Sequence, residues 1–178
     1  MLAHDIFSSL TPDFAGRIFA FLFEKDKPVY KATIEALATK RNLRPVFVER
    51  KPRDERFAWM KDALSKPPNN GLAAHVLQVW LVGAQSALLC DFLDSLGIKH
   101  DENGTVESLP PAPERKKIDK AVEKLLTKHD PTTVAVYLHA FQALHENGGW
   151  PTLGEALEGD ARLSLTASVP PVPSDPAF

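Results

Sequence analysis

The chain has 178 residues, 44% of them apolar and 25% charged, with a net charge of −2. That length and balance suit one soluble globular domain with a sizeable core. The near-neutral charge supplies no global field that demands nucleic acid or a membrane, and the single cysteine, Cys90, excludes an internal disulfide and suits a reducing cytoplasm.

Met1 to Leu10 has neither a basic n-region nor an apolar h-region, so no secretory leader is expected. Asp13 precedes an apolar run and is expected to cap a helix that reaches about Lys25. Pro28 suits the first turn of a second helix, to about Arg41, because its missing N–H is not needed there. Arg44 to Lys51, with Pro45, Val46, Phe47 and Val48, reads as a short extended connector. Pro52 opens a third helix with Phe57, Met60, Ala63 and Leu64 on one face. It stops at Lys66, before the turn Pro67-Pro68-Asn69-Asn70-Gly71.

Leu72 to Val82 is apolar nearly all round and reads as a buried helix. His75 and Gln78 interrupt it, and it falls short of the ~20 apolar residues of a membrane span. Membrane insertion is therefore not expected. Ala87 to Leu96 follows, closed by Gly97, which accepts a left-handed conformation cheaply. His100 to Pro111 is a turn-rich connector, with Asn103-Gly104 at its tip. Pro113 to Lys128 carries Ile118, Ala121, Val122, Leu125 and Leu126 at helical spacing. Asp130-Pro131 starts a helix that Gly148-Gly149 breaks, and Trp150-Pro151 opens a short helix through Leu157. Arg162 to Leu165 reads as a second extended connector, and the proline-rich tail 164–178 as extended polyproline-type chain.

These elements repeat. Phe14, Leu72 and Val134 open apolar stripes that Ile18, Val76 and Leu138 continue, then Phe21, Val79 and Phe141. Second stripes follow at Tyr30 and Ile34, Leu89 and Leu93, and Leu153 and Leu157. The expected fold is all-α. It has about eight helices in stacked hairpins, within one domain over 1–163. Three units of about sixty residues (11–66, 70–128 and 131–163) make the stack solenoid-like.

Motifs for chemistry are scarce. No two of His4, His75, His100, His129, His139 and His145 are spaced i, i+4, and no His-Glu-x-x-His occurs. The dipeptides His100-Asp101 and His129-Asp130 lie at helix ends, where histidine meets the helix dipole and aspartate caps the next segment. Cys90 neighbours Asp91, whose charge would raise the thiol pKa, so a structural thiol is expected. There is no nucleophile elbow and no phosphate loop. We therefore expect no metal, no cofactor and no catalytic residue.

Charge is the remaining clue. Lys40 to Arg56 carries +4: Lys40, Arg41, Arg44, Arg50, Lys51, Arg53 and Arg56 against Glu49, Asp54 and Glu55. Lys116, Lys120, Lys124 and Lys128 recur every four residues along one helix, partly offset by Asp119 and Glu123. Stacking of the units would join the two stretches into one positive face. The leading expectation is a non-enzymatic, cytoplasmic scaffold that binds another protein, with Phe47, Trp59 and the tail as contact points. A nucleic-acid or polyanion binder using the basic residues is the first alternative. A small-ligand binder or enzyme with a pocket near Trp150, His139 and His145 is the second. The oligomeric state is left open by the sequence.

Overall fold

Short polar caps followed by proline start several of the helices. Thr11 Oγ1 accepts from the Phe14 amide at 3.2 Å, Asp26 Oδ1 from Val29 at 3.2 Å, and Asp130 Oδ2 from Thr133 at 2.9 Å. A proline stands in the first turn after each cap. Such caps are worth about 1 kcal/mol each. Thr11, not Asp13, holds the first of these positions; Asp13 lies inside the first turn, where its charge faces the positive helix end.

The computed structural model describes residues 1–145 and 148–165. They form α1 (Ala3–Ser9), α2 (Pro12–Lys25), α3 (Lys27–Lys40), α4 (Pro45–Glu49), α5 (Arg53–Leu64), α6 (Asn70–Ala84), α7 (Ser86–Leu96), α8 (Arg115–Lys128), α9 (Pro131–Leu144) and α10 (Pro151–Gly159). Two 3-10 turns, Pro67–Asn69 and Ala161–Leu163, complete them. The fold is all-α, and no strand occurs among the described residues. Most of the tail read as polyproline-type chain lies outside the described residues. Leu165, at its start, is buried against the core.

Three further readings of the sequence need correction. The stretch read as an extended connector, Arg44 to Lys51, contains helix α4. Val46 is 41% exposed and Val48 only 1%. Residues two apart share a face in a strand, so opposite environments mark a helical turn. Pro45, with φ pre-set for a first turn, outweighs the β-preference of Val-Phe-Val. The second connector, Arg162 to Leu165, begins in the 3-10 turn, started by Asp160 Oδ1 accepting from the Arg162 amide at 2.9 Å.

The third correction is α1, a helix the periodicity did not show. It has only seven residues and no capping side chain ahead of it. Asp5 Oδ2 accepts from the Leu2 amide at 2.8 Å and steadies its first turn. Ala3, Ile6, Phe7 and Leu10 are buried, and Phe7 stacks on Phe19 at 5.9 Å. Asn70 Oδ1 accepts from the His4 amide at 3.2 Å and pairs with His4 Nδ1 at 3.1 Å, tying α1 to the start of α6.

Packing centres on α9, which is flanked by α1, α6, α8, α10 and the second 3-10 turn. Eight of its residues, from Thr133 to Phe141, are buried. Helices α2, α3 and α5 pack together on one side, and α7, α8 and α10 on the other. One apolar cluster runs through all of them. Among the described residues no single helix is long and apolar enough to cross a membrane, and the most apolar stretch, Pro67 to Leu96, bends by 84° between α6 and α7.

Candidate interaction surface

Helix α3 ends in a tight reversal. Asn42 takes a left-handed φ of 54°, Leu43 N–H donates to Ala38 O at 2.9 Å, and Asn42 N–H donates to Thr39 O at 3.0 Å. This double closure satisfies the last carbonyls of the helix and turns the chain outward. Leu43 follows in the open, and Arg44 is held extended by the proline after it. Helix α4 then packs on α3, with Val48 as its one buried residue.

The corner exposes three large apolar side chains within five residues: Leu43 at 42%, Val46 at 41% and Phe47 at 56%. Arg44, Arg50 and Lys51 neighbour them in the chain, all exposed and without an ion-pair partner among the described residues. Glu49 is the one acid inside this stretch. Phe23, another exposed aromatic, sits below the guanidinium groups of Arg53 and Arg56, at 5.8 and 5.9 Å.

The other cations of the segment are engaged. Lys40 Nζ donates to Pro68 O at 2.8 Å. Arg41 Nη2 donates to Asp62 Oδ2 at 2.8 Å and its guanidinium lies 5.5 Å from the Trp59 ring centre. Hydrogen bonds from Arg41 and Lys66 hold the Asp62 carboxyl below the usual carboxylate range. Arg53 faces Glu24 at 3.7 Å, and Arg56 Nη1 donates to Glu49 O at 2.8 Å. Trp59 is half-buried beneath Arg41, which leaves Phe47 as the more accessible of the two aromatic contact candidates.

The lysine row lies elsewhere. Helix α8 packs on α7, α9 and α10, whereas α4 packs on α3, so the two basic stretches line different halves of the bundle. Lys116, Lys120 and Lys124 are exposed and lack ion-pair partners among the described residues. Lys128 binds Asp91 at 2.8 Å. The interleaved acids pair with arginines instead: Asp119 with Arg115 at 2.7 Å, and Glu123 with Arg162.

The histidines and Trp150 also separate. Trp150 is 2% exposed, packs 4.8 Å from Phe141 and donates Nε1–H to Pro110 O at 2.8 Å. Gln142 takes both backbone groups of Trp150, at 2.7 and 2.8 Å. It is a core anchor. His139 points to the 3-10 turn, with Nε2 2.9 Å from Leu163 O, and burial pushes its pKa down. His145 donates Nδ1–H to Phe141 O at 2.7 Å and lines a separate cavity with Tyr137 and Phe141. Burial, then Asp94, Asp91 and Asp101, push the Cys90 thiol up, away from a nucleophile's range. Among the described residues no cluster of three metal-ligating side chains occurs.

Compared with protein-family models, curated protein sequences and solved structures, the chain shows no match to any of them. The site therefore rests on its geometry. The sequence pointed to Phe47 and to the basic residues around it. It did not single out Leu43 and Val46 as surface groups, because Arg44 to Lys51 reads as an extended connector, in which no face is marked as exposed. The signal present was Pro45 at a helix start.

Proposed function

We propose that this chain is a non-enzymatic binding protein, and that the α4 corner docks an acidic protein segment bearing apolar side chains. The observation that carries this is the joint exposure of Leu43, Val46 and Phe47 among the unpaired cations Arg44, Arg50 and Lys51. Burying one such side chain stabilises a complex by about 1.5–3 kcal/mol. An aromatic with flanking arginines is the usual make-up of an interface hot spot. Unneutralised cations select against basic partners. The patch is one helical turn wide, which suits a short peptide segment better than a broad lipid surface or a duplex backbone. A stacked three-unit body is part of the reading; the serial packing of α2 on α6 and of α6 on α9 supports it.

Fluorescence anisotropy tests the proposal with three probes: a labelled twelve-residue peptide of Glu, Asp and Leu, its Lys/Leu counterpart, and duplex DNA. The acidic peptide should bind, and Phe47→Ala and Arg50→Glu should each weaken it by about tenfold or more. Tighter binding of DNA, or of anionic vesicles in a parallel flotation assay, would overturn the choice of partner. Unchanged peptide affinity in both variants would overturn the site.

A second reading has its own observation, the unpaired Lys116, Lys120 and Lys124 on α8. On that reading heparin retains the protein with steep salt dependence. Substituting the three lysines by glutamate would then release it.

A further inference from the structure

The cavity lined by His145 differs from the surface just described in position and in chemistry. It opens between α6, α7, α9 and the loop Asp101–Val106, with a volume of about 210 Å³. Its walls are apolar: Leu81, Leu89, Leu93, Phe141 and Leu144 among them. No charged side chain lines it. The polar groups are few: Gln78, Thr105, Tyr137 and His145. A cavity of about 150 Å³ with aliphatic walls takes up benzene, so this volume suits one substituted ring.

Tyr137 gives the cavity a direction. Its side chain is held edge-on by Phe92 and Phe141, at 5.5 and 6.2 Å, and the residue is only 4% exposed. The hydroxyl makes no hydrogen bond to any described residue. Tyr137 is one of the residues that line the cavity. A buried hydroxyl left unpaired costs about 1–3 kcal/mol, which a ligand acceptor would recover. Burial pushes the Tyr137 pKa far up, so the group stays a neutral donor. His145 commits its Nδ1–H to the Phe141 carbonyl and leaves Nε2 without a partner among the described residues.

The loop that closes one side is preorganised. Asp101 Oδ1 accepts from the amides of Asn103 and Thr105, each at 2.9 Å, and Asp101 Oδ2 accepts from Thr105 Oγ1 at 2.5 Å. Gly104 lies so close to α7 that an added Cβ would stand 2.4 Å from Leu89 Cβ. His100 ties the loop back to α7 through Asp94 Oδ1 at 3.0 Å.

We infer that this cavity binds a small uncharged molecule: a single ring carrying a carbonyl or similar acceptor, which takes the Tyr137 hydroxyl as donor. The inference goes beyond the α4 docking surface and does not depend on it.

Methyl NMR titration of the full chain tests it, with acetophenone, ethylbenzene and benzoate as probes. Acetophenone should shift the methyls of Leu89, Leu93 and Leu144 and saturate. Ethylbenzene, which has the ring but no acceptor, should bind about 3–10-fold more weakly. Benzoate should leave the same methyls unshifted, because its charge would be buried unpaired. Tyr137→Phe deletes only an unpartnered oxygen, so the fold is retained, and it should erase the preference for acetophenone over ethylbenzene. Equal affinities of those two in the wild type would overturn the inference, since water then satisfies Tyr137 equally well. Shifts that map outside the cavity, or a preference that survives Tyr137→Phe, would overturn it too.

Discussion

Replacing Gly104 by alanine would set a methyl group against the backbone of α7. The new Cβ would stand 2.4 Å from Leu89 Cβ and 2.9 Å from both Cys90 N and Leu89 C. Two of those three atoms are backbone, so no rotamer change relieves the contact. Gly97 is the internal control. Its φ is +71° against +73° for Gly104, but nothing lies within 4 Å of its added Cβ. Both substitutions incur the left-handed penalty of about 1–2 kcal/mol. Both recover about 0.4–1 kcal/mol from a stiffer unfolded chain. Gly97→Ala should therefore cost about 1 kcal/mol net. Gly104→Ala should cost a further ~1–3 kcal/mol for overpacking. For a chain of this size the difference is about 2–12 °C in Tm, read by far-UV circular dichroism with urea unfolding as a check. Equal Tm values for the two variants would refute the close approach of the loop to α7.

Other consequences are as direct. His100 has both ring nitrogens engaged; the Asp101 carbonyl first, then the Asp94 carboxylate, raise its pKa. Its stabilising effect is complete below about pH 6.5 and is lost as pH rises through the raised value. His139 behaves oppositely: burial lowers its pKa, outweighing the bond to Leu163 O. The unfolded chain takes up a proton near pH 6.5 that the fold resists, so stability also falls as pH drops below that value. An NMR titration in which His139 titrates above His100 would sink this pair. Val48→Ala should cost about 1–3 kcal/mol, while Phe47→Ala stays within about 0.5 kcal/mol. Similar losses at the two positions, in urea unfolding, would reject α4 as a turn of helix. Trp150→Ala should cost about 3–5 kcal/mol, and Trp150→Phe about 1–3 kcal/mol for the Pro110 carbonyl left unpaired. Equal losses would place the energy in the indole N–H and not in ring packing.

The long helices were legible because their information is local. Caps, prolines and apolar spacing at α2, α3, α5, α8 and α9 all lie within one or two turns of the boundary they set. Gly97 marked the end of α7 for the same reason, its left-handed φ being a property of one residue. What failed was short or decided by distant contacts. The seven residues of α1 are too few for a period to show, and they owe their burial to α5, α6 and α9. The corner at α4 looked like strand because β-branched residues carry that preference alone. Its helical form depends on Pro45 and on the one residue, Val48, that reaches the core.

The two candidate sites differ in how far sequence could reach them. The α4 corner is continuous in the chain, so its cations and Phe47 could be named in advance, though not which cations stay unpaired. That depended on partners such as Asp62 and Pro68, more than twenty residues away. The cavity converges from α6, α7, α9 and a loop, and no linear pattern records such a meeting. One residue did carry a sign. In a helix buried on all sides, a tyrosine among Val134, Ala135, Val136 and Leu138 brings a hydroxyl that the core must satisfy. Among the described residues it has no hydrogen-bond partner, and the proposed ligand is the acceptor that would supply one. The requirement could be read from the sequence, but its place in the structure only from the fold.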